Sequence, residues 1–145
     1  MKLKEFALWA ALVVGVVVVV WPASHWYDAG EMRVDDFSAG ADFDLIYDGG
    51  AVRKFLGSYS VVMTNTDVRK IVAEMGSARF NYDPANKRPD PLLISWWAPN
   101  DPRFLSQPPG HYRLETCWTV HGAFFGFSPG KQICTRSNIF TIHPK

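Results

Sequence analysis

The stretch PPGHYRLETCWTV, residues 108–120, decides the fold. Tyr112, Leu114, Thr116, Trp118 and Val120 alternate with His111, Arg113, Glu115, Cys117 and Thr119. A period of two is the mark of a strand, whose successive side chains leave on opposite faces. The first set predicts a core face and the second an outward face. Pro108, Pro109 and Gly110 mark the entry, because proline cannot donate to a ladder.

Working outward, Cys117 lies on the outward parity and Cys134 opens the last apolar stretch, ICTRSNIFTI at 133–142. If those two strands are antiparallel neighbours, a Cys117–Cys134 bridge would cross them on the outer face and staple the intervening excursion. Two cysteines allow one intramolecular pairing, and an even count suits an exported domain. Closing a loop of this length is worth about 3 kcal/mol by the chain-entropy argument. Further strands are expected at 31–37, 42–48, 51–55, 58–64, 78–82 and 92–98, separated by Gly and Pro turns, which is the rhythm of an all-β domain. In 42–48, Phe43, Leu45 and Tyr47 share a face, and Tyr59, Val61 and Met63 make a similar one. Residues 67–75 place Val68, Ile71, Val72 and Met75 at helical spacing behind Thr66, so a short helix with Thr66 as its N-cap is expected there. The proline-rich stretches 83–91 and 99–110 read as loops, with Phe104 and Leu105 anchoring the second.

Gly110-x-Tyr112-x-Leu114 resembles the tyrosine corner of immunoglobulin-like domains, where a Tyr entering the penultimate strand bonds its hydroxyl to upstream backbone. The resemblance implies an immunoglobulin-like antiparallel β-sandwich over residues 31–145, with Tyr112, Leu114 and Trp118 defining the fold. It departs from antibody domains at Leu114, which stands where their inter-sheet cysteine would be. Pro-Gly-x-Tyr, a Trp-bearing strand and Ser-Asn-x-Phe (residues 137–140) are also similar to small membrane-anchored proteins encoded by tailed phages and prophages. That likeness implies no activity.

Upstream, the chain opens MKLKEFALWAALVVGVVVVVWPASHWYDAG, with no charged side chain from Phe6 to Tyr27. As a helix this segment reaches roughly 33 Å, near the thickness of a bilayer's hydrocarbon core. Its Val content is no obstacle in lipid, where backbone groups must be satisfied internally. Trp9, Trp21, Trp26 and Tyr27 suit interfacial positions, and Lys2 and Lys4 before the run put the N-terminus inside. The expected organisation is a cytoplasmic tip at 1–5, a transmembrane signal anchor at 6–27, a linker at 28–30 and the β-domain beyond. A cleaved signal peptide is the rival, although cuts after Ala23, Ser24 or Ala29 each put Trp or Pro at −3. The expected address is the inner (cytoplasmic) membrane, with the body periplasmic or extracellular.

Past the anchor, 13 basic and 13 acidic residues balance, which argues against a nucleic-acid partner. Residues 28–48 hold seven acids and one base, Arg33, yet Asp42, Asp44 and Asp48 lack the spacing of a calcium loop. The four histidines are scattered and no metal or cofactor is expected. No nucleophile elbow, zinc helix or phosphate loop is present, so catalysis is not expected. The candidate interaction residues are Trp96 and Trp97, whose rings a strand would send to opposite faces, and Phe124, Phe125 and Phe127, in a glycine-rich loop at 121–130 that could meet a partner. Expected contacts are the bilayer through residues 6–27 and a protein of the envelope. The function class is non-catalytic recognition or envelope assembly. A structural subunit of an envelope or phage-related assembly, or an enzyme acting on glycan or cell wall, stands as the alternative.

Overall fold

The computed structural model describes residues 2–123 and 130–145. A single 18-residue helix, α1 (Leu3–Val20), leads the chain. None of its residues is buried, and it is long and apolar enough to cross a membrane. Glu5 in the first turn accepts the Lys2 backbone N–H at 3.3 Å and suits the positive end of the helix dipole. Pro22, which cannot continue a helix, follows its end. The Lys131 ammonium, reaching from the body, donates to the Val19 carbonyl at 2.8 Å and places a cation at the negative end of that dipole.

Beyond α1 come a single 3₁₀ turn (Ala23–His25), then β1 (Tyr27–Asp28), β2 (Met32–Val34), β3 (Phe37–Ser38), β4 (Leu45–Tyr47), β5 (Gly50–Ala51), β6 (Phe55–Asn65), β7 (Lys70–Gly76) and β8 (Phe80–Tyr82). A one-turn helix α2 (Ile94–Trp97) and a second 3₁₀ turn (Pro102–Phe104) precede β9 (Gly110–His121), β10 (Lys131–Arg136) and β11 (Phe140–His143). The large sheet runs β3-β11-β9-β6-β7, with β10 also on β9 and β8 on β6. All its pairs are antiparallel except β3 with β11. Two ribbons, β1–β5 and β2–β4, complete a mainly β, sandwich-like arrangement behind the apolar helix.

The alternation read in 108–120 is realised along β9. Tyr112, Leu114, Thr116, Trp118 and Val120 are all buried, while Cys117 and its neighbours stay partly open. Val61 and Met63 on β6 and Phe140 and Ile142 on β11 extend the same inner face. Trp118 is its hub, with the rings of Tyr27 at 4.4 Å, Tyr47 at 5.6 Å and Trp97 at 6.1 Å. Thr116 is the polar group on this face, and its hydroxyl accepts from Trp97 Nε1 at 3.0 Å. Phe43, Leu45 and the half-buried Tyr47 do share an inward face, with Ile46 outside.

Several expectations are corrected. Residues 67–75 form no helix: after a turn at Thr66–Arg69 the chain pairs with β6 as β7. Arg69 takes φ 54° in that turn, and Asn65 Oδ1 accepts from Asp67 N and Val68 N. Val68 and Ile71, half of the supposed apolar stripe, are exposed, so pairing with an eleven-residue partner outweighs the helical spacing. Residues 92–98 are not a strand throughout. Leu93 bridges Asp44, and the chain then coils into α2, with Asp42 accepting from Ser95 N at 3.1 Å and from Ser95 Oγ. The 31–37 stretch divides between the two layers as β2 and β3, and 133–142 divides into β10 and β11.

The break between β10 and β11 is the Ser-Asn-x-Phe motif. Ser137 N donates to the Leu114 carbonyl at 2.9 Å, and Ser137 Oγ accepts from Leu114 N at 3.0 Å. The Asn138 amide accepts from Val34 N and donates to Val34 O, both at 2.9 Å. One side chain thus completes the backbone bonding of a buried β2 residue and ties the ribbon to the large sheet.

The boundary expected between anchor and body also moves. Ala23, Trp26 and Tyr27 are buried in the core of the domain, and the Trp26 carbonyl accepts from Val52 N and Arg53 N. Trp26 and Tyr27 are therefore core aromatics rather than interfacial ones, and residues 28–30 are no free linker. The body starts within three residues of the helix end.

Candidate functional site

Beside the Trp118 hub lies an open cleft of about 850 Å³. Its floor is Tyr27, Tyr47, Trp97 and Trp118, and its walls come from β8, α2 and the loop at residues 83–91. Local chemistry shapes each wall. On β8, Tyr82 stacks on Phe55 at 4.6 Å and Phe80 lies 4.2 Å from Tyr82. This packing requires Gly57, since a Cβ there would meet the Phe55 ring at 2.5 Å and the Thr119 carbonyl at 2.9 Å. Gly49 is needed in the same way, because its Cβ would fall 2.1 Å from Tyr47 Oη.

The 83–91 loop is held down by Arg88. Its guanidinium sits 4.7 Å from the Tyr47 ring centroid, donates from Nη1 to the Gly49 carbonyl at 2.6 Å and from Nη2 to the Tyr47 carbonyl at 3.4 Å. Asp83 starts the loop with an Asx turn, accepting from Ala85 N at 2.9 Å, and pairs with Lys54 at 3.5 Å. The Ala85 N–H first, and the Lys54 ammonium after it, hold the Asp83 carboxyl below the usual carboxylate range.

The tyrosine hydroxyls of the cleft are removed from water. Burial pushes Tyr27 up to about 12, and burial raises Tyr47, Tyr82 and Tyr59 as well. Tyr27 Oη and Tyr47 Oη share a hydrogen bond at 3.0 Å, and Tyr59 Oη donates to the Trp97 carbonyl at 2.9 Å. Tyr82 Oη is buried with no partner. At the mouth, Trp96 is 51% exposed, Ile46 52% and Phe80 40%, an unusual concentration of large apolar side chains on one rim.

The sequence-derived candidates distribute as follows. Trp97 is core and Trp96 is open, as adjacent residues on opposite sides would be, although a helical turn rather than a strand separates them. Trp118 doubles as core hub and cleft floor. Tyr112 is buried, and its hydroxyl donates to the Pro108 carbonyl at 2.6 Å. Leu114 is fully buried. Cys117 and Cys134 are directly opposed on β9 and β10 and form a disulfide, with Cα atoms 4.0 Å apart, on the outer sheet face away from the cleft. Phe124, Phe125 and Phe127 lie outside the described residues. Tyr27, Tyr47, Phe80, Tyr82 and Arg88 were not singled out as site residues by sequence reasoning. The available signal was aromatic density, 14% of the chain, but only pairing distant in sequence gathers it in one place.

Among the described residues no three His, Cys, Asp or Glu side chains gather as a metal-holding group. His111 pairs with Asp67 at 3.0 Å, His121 with Ser58 Oγ at 2.9 Å and His143 with Asp36 at 3.9 Å. The acids of 28–48 mainly accept backbone N–H groups: Asp28 from Gly30, Asp48 from Glu31, Asp36 from Thr141 and Asp42 from Ser95. No protein-family model, curated protein or solved structure matches the chain.

Proposed function

We propose that the protein is a single-pass, N-in membrane protein that presents a non-catalytic β recognition domain on the far side of the inner membrane. The observation that carries this reading is α1, which has no buried residue and no charged side chain from Phe6 to its end, joined without slack to a body stapled by a surface disulfide. An apolar rod with none of its residues buried suits lipid, and a solvent-facing disulfide suits an oxidising compartment. Lys2 and Lys4, before the uncharged part of the rod, favour the N-in sense.

An immunoglobulin-like affiliation is part of the proposal. Its support is the Tyr112–Pro108 bond and the sheet order, in which β10–β11, β9, β6 and β7 succeed one another as G, F, C and C′ do. The departure is the opposing layer, which here is two ribbons and a helical turn.

Recognition is favoured over glycan hydrolysis by Asp83. A general acid needs a carboxyl with raised proton affinity, and that of Asp83 in the cleft wall is instead lowered by the Ala85 N–H and the Lys54 ammonium. Recognition is favoured over assembly by sheet extension because the β7 edge is occupied at Glu74, whose carbonyl accepts from Arg103 Nη2 at 3.3 Å.

Protease treatment of right-side-out and inverted membrane vesicles tests the reading. The body should be digested from the outer side alone and pellet with the membrane when intact. Digestion only from the cytoplasmic side overturns it.

A further inference from the structure

We propose that the aromatic cleft is a carbohydrate site that takes an uncharged oligosaccharide of equatorially linked pyranose units. The inference rests on the recognition reading above only for where such a ligand would be met.

The argument proceeds by what the cleft can and cannot hold. Its volume, about 850 Å³, lies within the usual range for a bound small ligand. The charged residues of the wall are Asp83 and Asp90 against Lys87 and Arg88, which balance, so no net field favours an ion. A cationic ligand would also find the Tyr47 face already covered by the chain's own Arg88. A wholly apolar ligand matches the rings of Trp96 and Phe80 but would leave the polar part of the wall unmet, and polar groups desolvated without partners are costly. That polar part includes the Arg88 guanidinium, which has five N–H donors and makes one bond from each of Nη1 and Nη2.

A pyranose reconciles these demands. Its C–H face is apolar and can lie on a half-exposed indole such as Trp96, while its hydroxyl rim both donates and accepts. Equatorial linkage leaves the faces of successive units open, as a rim carrying both Trp96 and Phe80 requires.

The test is calorimetric titration of the full chain in nanodiscs, free of sugar-headed detergents. Chitotriose and cellotriose are the probes, and axially linked maltotriose is the control. At least one of the two equatorially linked trisaccharides should bind more tightly than maltotriose. Trp96→Ala, at an exposed position, should weaken that binding about tenfold or more with an unchanged melting temperature. Absence of binding by both trisaccharides at millimolar concentration, equal binding of maltotriose, or affinity unchanged in Trp96→Ala overturns the proposal. Because the titration uses purified chain, its failure is separable from a failure of the vesicle experiment.

Discussion

Asn138 and Thr116 show how single side chains connect the layers of this domain. Asn138 presents an amide to both backbone groups of Val34, a residue 1% exposed, in place of a missing neighbouring strand. Asn138→Ala would strand a buried donor and acceptor, and should lower unfolding free energy by about 2–3 kcal/mol in chemical denaturation. Thr116 serves Trp97 in the same way. Thr116→Val keeps the shape and removes the acceptor, so about 1–2 kcal/mol should be lost, with a change in the near-ultraviolet signal of the tryptophan cluster. Neither role was legible in advance. Thr116 was placed correctly on the inward face, but its partner comes from a helical turn nineteen residues upstream. The Ser-Asn-x-Phe motif is visible in the sequence, while its duty depends on a strand more than a hundred residues away.

Among the elements, the strands with strict alternation were legible and those without it were not. β9 and the inner face of β6 could be read because a period of two survives whatever the sheet order. The β7 segment misled because Val68, Ile71, Val72 and Met75 match a helical stripe by coincidence, and long-range pairing with β6 decides its state. The Trp96–Trp97 pair misled because Asp42, fifty-three residues upstream of Ser95, supplies the group that accepts from the Ser95 N–H in the helical turn. The Cys117–Cys134 staple was legible from the even cysteine count of an expected exported domain and from the outward parity of Cys117 on a strand expected to neighbour that of Cys134, and it joins residues 17 apart. Its removal in a Cys117→Ser, Cys134→Ser variant should cost about 3 kcal/mol in denaturant unfolding while leaving the β-sheet circular dichroism intact.

At the scale of the whole molecule, the helix and the body form one continuous construction. Lys131 grips the last turn of α1, and Ala23, Trp26 and Tyr27 pass directly into the core. The cleft was not legible because its residues belong to separate segments, from Tyr27 to Trp118, that only the fold assembles. Its ionisation behaviour is a property of the whole. Burial raises all five tyrosines above their ordinary value near 10, Tyr27 to about 12. A group with a raised folded pKa contributes stability that is complete below its unfolded pKa and is lost as pH climbs through the folded one. Tyrosinate absorbance should therefore stay low at pH near 10 and then rise together with loss of near-ultraviolet dichroism at about pH 12. Gradual ionisation to half its final level around pH 10, in protein that remains folded, would contradict this packing.

The central claim is that this body folds on the oxidising side of a membrane with Cys117 joined to Cys134. Its most direct test is maleimide–polyethylene glycol trapping of thiols in intact cells, followed by non-reducing electrophoresis. The account predicts no adduct until a reductant is added and two adducts afterwards. Two adducts formed without reductant would mean free thiols in a reducing compartment and would contradict it.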